Sequence, residues 1–221
     1  MDLNTVIHNS KNKENYRIEN KTFEYSEIKD KAQFGEINEC ITFYDCIFKN
    51  KLIFENIDKN NLTIIFTKCT FKSIVEFSNC NFKEIVFYGI QEFQDIKMSG
   101  QYGSIRFTKD SLDNNPPKLK GNITINSKKL HQVFFAGFDL DGKISLCSNI
   151  NNSFGVNFDS LSVKELDVIN CSFCPKSDFR EMQIKENANF YNCKFKRVYF
   201  DESYFESGSN FQFHNCSFKS E

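Results

Sequence analysis

The chain has 221 residues, with 28 Lys and Arg against 29 Asp and Glu. That near balance excludes a bulk basic field for nucleic acid and a strongly acidic surface. The 26 Phe, beside only 9 Gly and 3 Pro, exclude disordered, collagen-like and linker-rich classes.

Taken in chain order, residues 1–21 are polar and out of any register, and are expected to form an N-terminal tail or cap. They lack the apolar centre of a signal peptide. No apolar run in the chain is long enough to span a bilayer as a helix. The nine Cys are not the even, closely spaced set of a small secreted disulfide framework. A reduced, cytoplasmic protein is expected.

Residues 22–221 read as one domain built on a repeat. The hexapeptide Phe-x-x-Cys-x-Phe occurs at residues 43–48, 66–71, 77–82, 190–195 and 213–218, and with Val168 leading at 168–173. Its underlying unit has five residues: small or aliphatic, polar, Phe, polar, polar. In the first half it reads ITFYD, CIFKN, LIFEN, then IIFTK, CTFKS, VEFSN, CNFKE and IVFYG. From Val156 it reads VNFDS, LSVKE, LDVIN, CSFCP, SDFRE, MQIKE, ANFYN, CKFKR, VYFDE, SYFES, FQFHN and CSFKS, with few interruptions. Between these halves lies an irregular insertion near residues 108–121, where two of the three Pro fall. Insertions of this kind are either extensions tolerated at a coil corner or binding loops.

A period of five is neither helical nor that of a long strand. Two inward residues in every five suit a chain that turns a corner after each unit, so that four units close one coil. The next coil stacks on it at the strand spacing of about 4.8 Å. Cys46 to Cys69, and Cys171 to Cys193 to Cys216, are steps of 22 or 23 residues, which is four units plus inserted residues. The expected fold is all-β, a right-handed parallel β-helix of about nine or ten coils with bulged corners. Phe48, Phe71, Phe82, Phe173, Phe195, Phe200 and Phe218 are expected in buried columns, and Asn170, Asn192 and Asn215 in a ladder up one corner.

The run ANFYN-CKFKR-VYFDE-SYFES resembles the pentapeptide-repeat family, and the resemblance extends over most of the chain from about Ile41. It implies a four-sided β-helix and a role in protein binding. Some members imitate duplex DNA, bind type II topoisomerases such as gyrase and protect them, which makes a topoisomerase-binding protein the alternative reading. That mechanism wants a strongly negative surface, whereas residues 156–221 hold ten acidic against eight basic residues.

The chemistry-bearing residues point away from catalysis. Six of the Cys occupy first inward positions, where a thiol serves as a small hydrophobe. The only zinc-like spacing, Cys171-x-x-Cys174, places one thiol in and one out. His8, His131 and His214 are scattered, with no triad order and no Gly-rich phosphate loop. No enzyme, cofactor, metal, membrane or direct nucleic-acid role is expected. The leading reading is a non-enzymatic interaction scaffold for an unknown protein partner, of bacterial type by the resemblance. Its candidate surface comprises Tyr191, Lys194, Lys196, Arg197, Tyr199 and Tyr204, together with Asn115, Pro116 and Pro117 in the insertion. An open β-helix end exposes unpaired strand edges, so either the chain is a fragment of a longer repeat protein or the end is covered by a second copy, in a homodimer through the C-terminal coil.

Overall fold

The computed structural model describes residues 1–8, 15–29, 37, 39–110, 119–175 and 177–219. The chain is a parallel β-solenoid of about eight turns. One turn shows the plan. Cys40–Tyr44 forms a first side, Ile47–Phe48 a second and Leu52–Glu55 a third. The strand Asp58–Thr67 then runs along a fourth side and bends onto the first side of the next turn. Each strand pairs in parallel with its counterpart one turn away.

Like residues stack on like because, along each side, the strands pair in parallel with a fixed register. On the first side Ile18 pairs with Phe43, Phe43 with Phe66, Phe66 with Phe87, and Phe87 with Phe107. The column continues through Phe135, Phe158, Phe179 and Phe200. Ring centroids along it lie 5.1 Å apart at Phe43–Phe66 and 4.6 Å at Phe87–Phe107, the separation at which stacked strands place successive rings face to face. The steps range from 20 to 28 residues, so the chain completes about eight turns, fewer than the nine or ten expected from a leaner repeat.

The surplus residues sit in the corners. Register shifts fall at Lys59/Thr63, Met98/Gly100, Leu140/Lys143 and Val163/Glu165, so the corners are bulged as expected. The bulge at Gly100 and the bend at Gly121 bring backbones too close for any side chain. A Cβ on Gly100 would lie 1.9 Å from the Cys80 carbonyl oxygen, and one on Gly121 would lie 1.6 Å from that of Gln94.

A second corner device explains the Asn residues of the repeat. Asn56, Asn79, Asn170, Asn192 and Asn215 all have φ between 52° and 55°, in the left-handed region. Each lies two places after an inward Phe or Val, where the chain must turn sharply. Asn tolerates this region better than other side chains because its short amide bonds locally. The same amides form the expected ladder: Asn192 donates to Asn170 Oδ1 at 3.2 Å and Asn215 to Asn192 Oδ1 at 2.7 Å. Asn79 donates likewise to Asn56 at 2.9 Å.

The two ends differ. At the start, the six-residue helix Leu3–His8 closes the solenoid, with Leu3 and Ile7 fully buried. Asp2 caps it by accepting from the Asn4 amide and the Thr5 hydroxyl. Leu3 N–H donates to the Tyr25 carbonyl, and the Asn4 side chain to that of Glu27. The sheet begins inside the segment read as a tail or cap: Asn15–Glu19 pairs in register with Cys40–Tyr44. Polar outward residues there mask the inward pair Tyr16 and Ile18, which makes the rung hard to see in the sequence. At the other end, among the described residues, the strands of Tyr204–Lys219 pair only with the turn below. Phe48, Phe71, Phe82, Phe173 and Phe195 are buried as expected, but Phe200 is half-buried and Phe218 is 56% exposed. Phe218 stacks on Phe195 at 4.8 Å on one face, and its other face is open.

Candidate interaction surface

The inward Cys residues belong to the frame. Each donates its thiol to a carbonyl of the preceding turn: Cys69 to Phe43 at 3.4 Å, Cys80 to Phe54 at 3.3 Å, Cys193 to Val168 at 3.4 Å and Cys216 to Phe190 at 3.2 Å. Ser203 does the same with its hydroxyl, to Phe179 at 2.8 Å. Where the first inward position holds Cys or Ser rather than an aliphatic residue, the side chain also donates to the turn below, which the hydrophobic reading of Cys missed. Burial pushes the Cys80 thiol up to about 12 and raises those of Cys69 and Cys171, which leaves them poor nucleophiles.

The expected surface residues do not converge on one side. Tyr191 ends a third-side strand and stacks on His214 at 4.7 Å. Lys194 and Lys196 lie on the fourth side, and Arg197 follows at a corner with φ of 45°. Tyr199 bridges to Asp178 on the first side, and Tyr204 lies on the second. Together they ring the last turns. Asn115, Pro116 and Pro117 lie outside the described residues.

The structure gathers two other groups. One is the aromatic end, where Phe213, Phe218, Tyr199 and Tyr204 are all exposed. The repeat reading put Phe218 in a buried column because the pattern does not say where stacking stops. The other flanks the insertion. Asp110 is buried, bonded to Lys68 Nζ at 2.8 Å and to the Tyr88 hydroxyl at 3.0 Å. It borders a cavity of about 260 Å³ lined by Gly89, Ile90, Leu119, Gly137 and Phe138. A buried carboxylate held by a cation and a hydroxyl is a structural anchor, and it fixes the strand at the point where the insertion leaves.

The fold and these surfaces define a repeat protein of the parallel β-solenoid class. No family model, curated protein or solved structure matches the chain.

Proposed function

We propose that this protein is a non-enzymatic interaction scaffold of the pentapeptide-repeat type, working in the cytoplasm. The observation that carries the reading is the turn of Tyr204–Lys219, which presents Phe213, Phe218 and Tyr204 beside strands that, among the described residues, pair only with the turn below. Apolar rings next to unpaired backbone groups form a surface suited to protein contact. The occupant we assign is a second copy of the chain. The helix Leu3–His8 covers the opposite end, so head-to-tail growth is blocked, and a symmetric tail-to-tail contact closes at two.

Light scattering at micromolar concentration tests this. A dimer that Phe218→Asp converts to a monomer is the expected result. A wild-type monomer that stays free of aggregation would overturn the dimer. The topoisomerase-binding alternative calls for a strongly acidic surface, whereas the formal net charge of the chain is −1.

A further inference from the structure

The formal net charge of −1 hides a segregation. In every turn the fourth side lies between a third-side and a first-side strand. From Asn81 onward its outward positions run through Lys83, Gln101, Lys128, Lys129 and His131, then Ser153, Ser172 and Cys174, then Lys194, Lys196, Ser217 and Lys219. Among the described residues this stretch carries no Asp or Glu. Asp58 stands one turn before it and accepts from the Asn81 amide.

The ion pairs lie elsewhere. Lys51 pairs with Glu76, Lys68 with Asp110, Lys72 with Glu92, Arg106 with Glu84 and Lys143 with Asp167. Among the described residues, Lys83, Lys128, Lys129, Lys194, Lys196 and Lys219 have no carboxylate partner. The six ammonium groups form two clusters on one side, Lys83, Lys128 and Lys129 in one and Lys194, Lys196 and Lys219 in the other, with the turns of Ser153 and Ser172 between them. Within each cluster they raise one another's electrostatic energy and favour a bound polyanion.

The side is also grooved. One hollow of about 400 Å³ is lined by Asn60, Asn81, Lys83, Gln101, Lys129 and His131. Gly103 forms part of it, and a Cβ there would lie 2.4 Å from the Lys83 carbonyl oxygen, so no side chain can fill the notch. A second hollow of about 270 Å³ holds Ser153, Lys194, Lys196, Ser217 and Lys219. Lysines alternate with amides and hydroxyls in both.

We propose that this fourth side is a docking surface for an acidic, extended segment of a partner protein. The chemistry favours a peptide over a nucleic acid. Among the described residues no Tyr or Phe occupies an outward position of the side to stack a base, Phe218 being an inward ring left exposed at the last turn, and its lysines are ammonium groups rather than the guanidinium forks that grip phosphate. Carboxylates take the lysines, and the Asn, Gln and Ser side chains bond to the peptide backbone. The inference deepens the scaffold reading by naming a partner's chemistry. It is independent of the tail-to-tail dimer, which is read by light scattering with no peptide present.

The test is fluorescence anisotropy with labelled oligo-glutamate, a single-stranded oligonucleotide and heparin as probes. Oligo-glutamate should bind, and raising salt from about 0.05 to 0.3 M should weaken it roughly tenfold or more, as screening requires. The double variant Lys129→Glu/Lys196→Glu should lose about tenfold or more, with unchanged circular dichroism. Lys72→Glu, on the second side, should change little. Absence of oligo-glutamate binding, tighter binding of the oligonucleotide or heparin, or equal loss on both sides of the solenoid would overturn the proposal.

Discussion

The first and last turns are built from the same repeat and have opposite fates. At the start, Leu3 and Ile7 from a short helix fill the place that another turn would take, and the residues beneath them are dry. At the end, Phe211, Phe213 and Phe218 occupy inward positions of the repeat and remain half-buried or exposed. An inward Phe in this fold gains half its burial from the turn below and half from the turn above. Position along the stack therefore sets its worth as much as its place in the pentapeptide.

Four outcomes follow from this difference. The largest is at mid-stack: Phe66 lies between Phe43 and Phe87 with no exposure, so Phe66→Ala should cost about 3–5 kcal/mol in urea unfolding. Phe218→Ala should cost under about 1 kcal/mol by the same measurement, because most of its surface is already wet. Equal losses would mean that the last turn is covered in solution.

Next is the helical cap. Leu3→Ala should cost about 2–3 kcal/mol, and the uncovered first turn should make the protein aggregate on mild heating. Third is the corner ladder. Asn192 bonds both to Asn170 and to Asn215, so Asn192→Ala should lose about 1–2 kcal/mol through strain at φ of 52° and two lost bonds. Asn215→Ala, with one such bond among the described residues, should lose less.

The smallest effect is in acid. The Arg180 guanidinium, bonded to both carboxylate oxygens of Asp178, holds that carboxyl below its ordinary value of 3.8. A carboxyl lowered by folding stabilises the native state above its unfolded value, and the contribution fades as pH falls through the lowered one. Because Arg180 is half exposed, the loss should be under about 1 kcal/mol. An Asp178→Asn variant should show a correspondingly flatter stability profile between about pH 5 and pH 2.

Much of this architecture can be read from the residues alone. Phe43, Phe66 and Phe87 announce their column because the five-residue unit keeps each ring inward, and Asn170, Asn192 and Asn215 announce their ladder by recurring every 22 or 23 residues. The helix Leu3–His8 could not be read so easily, since six residues with two apolar side chains carry little periodic signal. The thiol bonds of the inward Cys were likewise hidden, because their acceptors are carbonyls about 25 residues away. The proposed surface of Tyr191, Arg197, Tyr199 and Tyr204 scattered for a geometric reason: residues close in sequence turn three corners and face different sides.

The sequence by itself determined that the chain coils, that Phe lines the coil, and that Asn and small residues turn its corners. These are local demands, met within one pentapeptide or repeated at one coil's distance. The tertiary structure alone decided how many turns form, which rings are left bare, and that Lys83, Lys129, Lys196 and Lys219 come to share one side. Those outcomes depend on the summed length of every turn. Each extra corner residue shifts all that follows, and only the stacked register of the whole solenoid fixes which outward side chains align.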